Sequence, residues 1–180
     1  MGKRLSFTAL RLHEPGVLAQ LLTRSYQSLV ETFPEHWAAE GEKWNLFDAE
    51  AHQNPDVVGS CVFVSCLGNE PIGLGSFDPR ECPSRGVVGQ HCILPDHRKH
   101  GYGARQLEEI VRRLRTRGAG KVAVTTSEHP FFVPARELYL SFGFVESGRR
   151  DGGPDPDFRL VDYELSLDPP VESADEEELV

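Results

Sequence analysis

The sequence of 180 residues lacks the features that mark several classes of protein. No apolar run approaches the roughly 20 residues that a membrane-spanning helix needs, and no signal-peptide core follows the first methionine. The four cysteines show no C-x-x-C spacing and the seven histidines include no H-E-x-x-H motif, so neither a disulfide framework nor a metal site is indicated. A G-x-S-x-G nucleophile elbow is missing as well. We therefore expect a cytoplasmic protein that contacts no membrane and binds no metal.

Positive charge is scarce relative to negative charge, with 19 Lys and Arg against 28 Asp and Glu. Six of the acidic residues lie in positions 168–180, and removing them from the 28 leaves 22 acidic residues against 19 basic ones. This mildly acidic balance argues against a nucleic-acid partner, because phosphate contacts dominate the affinity of nucleic-acid-binding proteins. The length suits one domain. We predict a single domain over residues 1–167 and an acidic, disordered tail over 168–180.

Apolar periodicity and turn residues predict an alternation of strands and helices. A hairpin is indicated where Gly68-Asn69-Glu70 separates two β-rich runs. The predicted order is β-α-α-β-β-β-α-β-α-β-β. We expect strands at 5–12, 57–67, 71–77, 87–94, 121–126, 144–147 and 158–166, and helices at 15–32, 36–54, 103–117 and 134–142.

The stretch 87–104 has the pattern of a strand that leads into a phosphate-binding turn, and it reads V-V-G-Q-H-C-I-L-P-D-H-R-K-H-G-Y-G-A. Its apolar first part predicts a buried strand that ends at Pro95. A polar loop follows, and Gly101 is the first of two glycines directly before a helix pattern. Glycine lets a ligand approach the backbone, and free amides at a helix N-terminus attract anions. Arg98 and Lys99 add positive charge there, so the turn suits a pyrophosphate.

Two common phosphate-binding fingerprints do not fit this turn. The dinucleotide-binding fingerprint needs a third glycine where this chain has Gln106, and the ATP-type loop needs Gly-Lys-Ser/Thr where it has Gly103-Ala104-Arg105. An ordinary strand-to-helix connection with a basic surface loop is the alternative to a binding site.

A resemblance to a known family rests on two blocks of the sequence. The first is Arg98-x-x-Gly101-x-Gly103-Ala104, which resembles the Gln/Arg-x-x-Gly-x-Gly/Ala signature of the GNAT superfamily of acyl-CoA-dependent N-acyltransferases. The second is Ala135-Arg-Glu-Leu-Tyr139-Leu-Ser-Phe-Gly143-Phe144, which looks like the family's Ala-x-x-Leu-Tyr-x-x-x-Gly-Phe segment. The blocks stand in the expected order. The resemblance implies an α/β (α+β) fold with a mixed central sheet flanked by helices on both faces.

The resemblance also implies a cofactor and a set of site residues. Acetyl-CoA would supply the acetyl group, and no metal would be needed. The backbone N–H of Ile93 would polarise the thioester carbonyl. Tyr139 would protonate the leaving thiolate, because a phenol with a pKa of about 10 is matched to a thiol with a pKa of about 8.5. The diphosphate would contact the loop residues Arg98, Lys99, His100, Gly101, Tyr102, Gly103 and Ala104.

The attacking amine must be neutral, and the family fixes no single position for a base. A lysine-like amine with a pKa of about 10.4 needs about 4–5 kcal/mol to lose its proton at pH 7. His91 is the first candidate for the base because strand alternation puts it on the same face as Ile93. Glu128 and His129 are further candidates. A strand histidine that makes only structural hydrogen bonds is the alternative reading of His91.

The acceptor side is less defined by the sequence. Trp37, Trp44 and Phe47 predict an irregular helix, broken near Gly41, and the resemblance implies that this segment walls the acceptor site. The acceptor would be a small-molecule amine or an amino group of a protein or peptide. Many relatives have asparagine where this chain has Phe132. A catalytically silent acyl-CoA sensor or assembly module is therefore the competing hypothesis, and a homodimer is compatible with the resemblance.

Overall fold

The computed structural model describes residues 2–152 and 158–167, so the predicted tail over 168–180 lies outside the described residues. Seven strands form one sheet with the order β1-β2-β3-β4-β5-β7-β6. The strands are β1 Leu5–Ala9, β2 Val62–Leu67, β3 Glu70–Asp78, β4 Gly86–Ile93, β5 Lys121–Ser127, β6 Val145–Arg150 and β7 Leu160–Ser166. The α-helices are α1 Val17–Ser25, α2 Gln27–Thr32, α3 Pro34–Gln53, α4 Tyr102–Thr116 and α5 Val133–Phe142.

The sheet is mixed and has an apolar cluster on each face. β4 and β5 are parallel, and the other neighbouring strands are antiparallel. Successive side chains of a strand point to opposite faces, and accordingly Val62 and Val64 pack in the cluster that includes α1 and α3, whereas Phe63 packs in the cluster that includes α4 and α5. The predicted fold class is confirmed. No helix among the described residues is long and apolar enough to cross a membrane.

The predicted single helix over 15–32 is wrong, because the chain forms two helices that meet at Tyr26. In a continuous helix the N–H of Leu29 would donate to the carbonyl of Ser25. Instead, Arg98 Nη2 donates to the Ser25 carbonyl over 2.7 Å, and Leu29 N–H donates to the Tyr26 carbonyl over 2.9 Å. A contact from a residue far along the chain therefore ends α1.

The predicted break of the second helix near Gly41 is also wrong, because α3 runs without interruption. A glycine inside a helix costs about 1 kcal/mol relative to alanine. Trp37, Trp44 and Asp48 are buried on one side of α3 and outweigh that cost. The carboxylate of Asp48 also accepts three amide hydrogens at the start of α1, over 2.6, 2.7 and 3.4 Å. This contact fixes α1 against α3.

Two predicted strands are shorter than expected. The strand predicted over 5–12 ends at Ala9 and passes into a 3₁₀ turn at Leu10–Leu12. The strand predicted over 57–67 begins only at Val62, after a 3₁₀ turn at Gly59–Cys61.

β4 carries a bulge that separates its two halves. The extra residue lies at Gly89–Gln90, opposite Ser76 of β3, and the Ser76 hydroxyl accepts the Gln90 N–H over 2.7 Å. Within the described residues, β4 pairs with β5 only at Gly86 and Val87, before the bulge. Because a bulge bends its strand and ends regular pairing, the carboxyl half of β4 diverges from β5. The resulting β4–β5 gap is the setting of the candidate site.

Candidate active site

The loop between β4 and α4 has an unusual backbone. Lys99 has a φ of 62° and Gly101 a φ of 78°, both in the left-handed region. Gly101 is the N-cap of α4, which begins at Tyr102. A left-handed residue followed by a right-handed one turns successive amides toward one point and makes an anion-binding nest. The strain at Lys99 fits a functional loop, since left-handed non-glycine residues cluster at such sites.

The amides of this loop are available for a ligand. Within the described residues, the N–H groups of 99–104 donate to no acceptor of the protein, whereas the next one, of Arg105, donates to the Gly101 carbonyl over 3.2 Å. The N-terminus of an α-helix also carries a partial positive charge of about half a unit. The loop and the start of α4 therefore present unpaired amides of the kind that an anion site requires, and the binding of a diphosphate there stays a prediction.

The N–H of Ile93 also lacks a strand partner. The N–H of Leu94 donates to the Ile72 carbonyl over 2.8 Å, so the backbone N–H of Leu94 points toward β3. In an antiparallel pair the direction of these groups alternates, so the N–H of Ile93 points away from β3 and toward β5. β5 has already separated from β4 at this position. The Ile93 amide is thus presented in the β4–β5 gap.

His91 and Tyr139 are brought together at the same gap. His91 Nδ1 lies 3.2 Å from the hydroxyl of Tyr139, and His91 Nε2 lies 3.0 Å from the carbonyl of Gly103. Burial lowers the pKa of His91 to about 4, so the imidazole is neutral at pH 7. Burial also raises the pKa of the Tyr139 phenol. The two residues that sequence reasoning singled out for proton transfer are therefore in direct contact.

Arg98 is held by the protein itself. Its Nε donates to the Ile93 carbonyl over 2.9 Å and its Nη2 to the Ser25 carbonyl over 2.7 Å. The guanidinium carbon lies 5.5 Å from the centre of the Phe131 ring. Arg98 joins the end of β4 to the end of α1 and keeps a positive charge beside the loop. A direct contact between Arg98 and a diphosphate stays a prediction.

His100 and Tyr102 make contacts between residues of the loop. The Arg98 carbonyl lies 2.7 Å from His100 Nδ1, so this ring nitrogen carries the hydrogen. The His100 and Tyr102 rings stack with centroids 5.8 Å apart. Lys99 is exposed and next to the free amides.

The other candidate bases are engaged elsewhere. Glu128 forms a short ion pair with Arg149. His129 Nδ1 accepts the N–H of Phe131 over 3.2 Å, and the His129 ring stacks on Phe158 with centroids 4.8 Å apart. Among the described residues, no group of His, Cys, Asp and Glu is arranged to hold a metal ion.

An aromatic cluster lies in the apolar core on the face of the sheet that carries α1 and α3, and this core also contains Cys92 of β4. Tyr26 stands at its centre, with Trp37 and Trp44 stacked at centroid distances of 5.6 Å and with Phe131 and Phe132 at 5.9 and 6.2 Å. Phe132, at the position where many relatives have asparagine, is thus part of this cluster. We call these five residues the aromatic cluster.

Tyr26 was not singled out by sequence reasoning, which treated it as a core residue of one long helix. Within the described residues its hydroxyl has no hydrogen-bond partner, and Tyr139, Cys92 and Arg98 are close enough to influence its pKa. Burial raises that pKa. The β4 bulge was missed too, although Gly89 inside a strand pattern was a usable signal.

The chain is similar to a known family and to several solved structures. A family model described as "Acetyltransferase (GNAT) family" matches residues 18–144. A search of curated proteins finds no match. A protein from Desulfovibrio desulfuricans assigned to the GNAT acetyltransferases has a TM-score of 0.70 at 15% identity, over 91% of this chain and 98% of that chain.

Two further solved structures are similar to the chain. An acetyltransferase from Thermus thermophilus has a TM-score of 0.61 at 21% identity, over 93% of this chain and 100% of that chain. A GNAT family acetyltransferase from Elizabethkingia anophelis with acetyl-CoA bound has a TM-score of 0.52 at 15% identity, over 59% of this chain and 75% of that chain. At these identities the likeness establishes the fold, and the family match covers most of the sequence. The chain belongs to the GNAT family of acetyltransferases.

Proposed function

We propose that the protein is an N-acetyltransferase that moves an acetyl group from acetyl-CoA to a primary amine. The observation that carries this proposal is the run of unpaired amides at 99–104, directly beside the β4–β5 gap that contains Tyr139. An anion site and a proton-transfer pair adjoin one opening in the sheet, as a transferase with an anionic cosubstrate requires.

The residues of the loop fit the charge of the cosubstrate. Acetyl-CoA supplies an acetyl group activated as a thioester, and it carries a diphosphate. The amides of 99–104 and the charges of Arg98 and Lys99 would bind the diphosphate. The free N–H of Ile93 would donate a hydrogen bond to the carbonyl oxygen and so stabilise the negative charge that develops there during attack, as in an oxyanion hole. The structural neighbour with acetyl-CoA bound shares this fold.

Tyr139 and His91 carry the proton chemistry in this proposal. Tyr139 would return a proton to the departing sulfur, and His91, which contacts the Tyr139 hydroxyl, would act through it as the base for the incoming amine. General acid–base groups typically contribute about 10²–10⁴-fold to a rate. A loss of that size is the signature expected when either group is removed.

The aromatic cluster defines the acceptor side in this proposal. Aromatic rings bind apolar groups and the faces of other rings, so we expect an amine carried by an apolar body, either a small molecule or a peptide. The guanidinium of Arg98 lies over Phe131 and disfavours a second cation there. The amine therefore binds more readily in its neutral form, which is the form that attacks.

The experiment is a thiol-release assay with acetyl-CoA across a panel of small amines and peptides. We expect turnover with apolar primary amines and a loss of at least about 100-fold in kcat for Tyr139→Phe, with the affinity for acetyl-CoA unchanged. Tyr163→Phe is the matched control, since Tyr163 is also buried and its ring lies 6.1 Å from that of Tyr139. A control that loses as much activity would contradict the specific role of Tyr139.

The competing function is a silent acyl-CoA-binding module. Phe132 in place of the family's usual asparagine favours it, because a cofactor or water contact of that asparagine is lost. Tight binding of acetyl-CoA without thiol release across the whole panel would establish this alternative. A cytoplasmic location and a homodimer stay predictions.

A further inference from the structure

The hydrogen bonds of His91 fix which of its ring nitrogens carries the hydrogen. The carbonyl of Gly103 can only accept, so His91 Nε2, at 3.0 Å, must donate to it. A neutral imidazole has one hydrogen, and His91 Nδ1 is therefore left with its lone pair. The hydroxyl of Tyr139, 3.2 Å from Nδ1, must then donate to His91. The hydroxyl hydrogen of Tyr139 thus points at His91, and the two lone pairs of its oxygen can accept hydrogen bonds.

We propose that His91 and Tyr139 form a single proton relay that serves the attacking amine and the leaving thiolate in turn. As the amine nitrogen bonds to the acetyl carbon, its proton moves to the Tyr139 oxygen while the Tyr139 proton moves to His91 Nδ1. As the carbon–sulfur bond breaks, Tyr139 gives its new proton to sulfur and recovers its own from His91. The amine loses one proton, the thiolate gains one, and both side chains return to their starting states. This inference rests on the proposed function.

The surroundings of the pair suit a relay better than two independent groups. His91 Nδ1 faces Tyr139, so it reaches a substrate only through the phenol oxygen. Burial raises the pKa of Tyr139, which disfavours a free phenolate, and in the relay no phenolate forms. The low pKa of His91, about 4, keeps Nδ1 unprotonated at pH 7 and makes it return the proton readily. Among the described residues, the titratable groups near the pair include the buried thiol of Cys92 and the phenols of Tyr26 and Tyr163.

The tautomer can be measured directly in the protein without any ligand. Nitrogen-15 NMR of the histidine side chains at pH 7, with His91→Gln used to assign the signal, reports which ring nitrogen is protonated. We expect a neutral ring with hydrogen on Nε2 and a free Nδ1. A hydrogen on Nδ1, or an imidazolium at pH 7, would overturn the relay, whatever the activity of the protein.

Substitutions at His91 then separate a relay from simple orientation of Tyr139. In His91→Asn the side-chain oxygen takes the place of Nδ1 and can accept the Tyr139 hydrogen bond, but it cannot hold the proton. In the relay, kcat for an alkylamine falls at least about 100-fold in this variant. The rate with an arylamine falls by a similar factor, because its nitrogen must give the same proton to the relay as it bonds to the acetyl carbon. Wild-type kcat with the alkylamine would overturn the relay and leave His91 as a group that only orients Tyr139.

The failure of this inference can be told apart from failure of the proposed function. Calorimetry with acetyl-CoA alone is carried out on both the wild type and His91→Asn, and kcat is compared at saturating acetyl-CoA, because His91 Nε2 also contacts the Gly103 carbonyl of the loop. If acetyl-CoA does not bind the wild-type protein, the proposed function fails. If it binds and an alkylamine is acetylated equally fast by both proteins, only the relay fails.

Discussion

The proposed diphosphate loop, residues 98–104, can be tested with two glycines that flank the same helix. Gly101 and Gly118 flank α4, have φ values of 78° and 81°, and have no atom within 4 Å of where a Cβ would lie. A substitution therefore has the same local consequence at both positions. α4 contains 15 residues, and at 1.5 Å per residue its ends are about 22 Å apart. Only Gly101 belongs to the loop with free amides.

Gly101→Val and Gly118→Val should cost similar stability but affect binding differently. A β-branched residue in the left-handed region is a strained outlier, and such strain costs about 1–3 kcal/mol. In Gly101→Val, relief of that strain turns the neighbouring amides away from the anion site. Each hydrogen bond to a charged group that is lost costs about 1.5–3 kcal/mol, which corresponds to a Kd about 10- to 150-fold higher for acetyl-CoA.

The assay is calorimetric titration with acetyl-CoA, paired with denaturant unfolding of each variant. We expect both variants to lose comparable stability and only Gly101→Val to lose affinity. An unchanged Kd in Gly101→Val, with a stability loss equal to that of Gly118→Val, would refute the assignment of this loop to the diphosphate.

Three further outcomes follow from the same contacts. Since the pKa of His91 is about 4 in the fold and about 6.5 when unfolded, protonation costs stability as the pH falls through this window. Between pH 7 and 4, the free energy of unfolding measured with urea should therefore fall by up to about 3 kcal/mol less in His91→Gln than in the wild type. An unchanged pH dependence would contradict the burial of this ring. Arg98→Lys keeps the charge but cannot bond both Ile93 and Ser25, so it should lose about 1.5–3 kcal/mol in the free energy of unfolding; wild-type stability would show that the two bonds are not formed. Tyr26→Phe should raise KM for the amine about tenfold, the effect of about 1.4 kcal/mol, without changing Kd for acetyl-CoA, and an equal effect on both ligands would argue against its place on the acceptor side.

Local sequence signals predicted the strand, the turn and the helix that carry the candidate anion site. Pro95 and the two glycines before α4 are chain-local features, and the helix-starting pattern after them does not depend on distant residues. The strand, the turn and α4 were accordingly predicted within a residue or two. The glycines that follow α4 and α5 likewise predicted the ends of these helices from the local sequence alone.

Long-range contacts account for what sequence reasoning missed. The break between α1 and α2 at Tyr26 exists because Arg98 donates a hydrogen bond to the Ser25 carbonyl. No residue near position 26 in the sequence indicates this contact. The continuity of α3 through Gly41 depends on burial of two tryptophans, which local propensity does not record. The contact of His91 with Tyr139 joins β4 to α5, so the sequence could name both residues without showing that they touch.

The most direct test of the account is an NMR titration of the wild-type protein with acetyl-CoA, read at each backbone amide. The account predicts saturable binding with the largest shift changes at the amides of 99–104 and of Ile93. Saturable binding that leaves those amides unchanged, or no binding at all, would contradict the claim that this loop and the β4–β5 gap hold the acetyl donor.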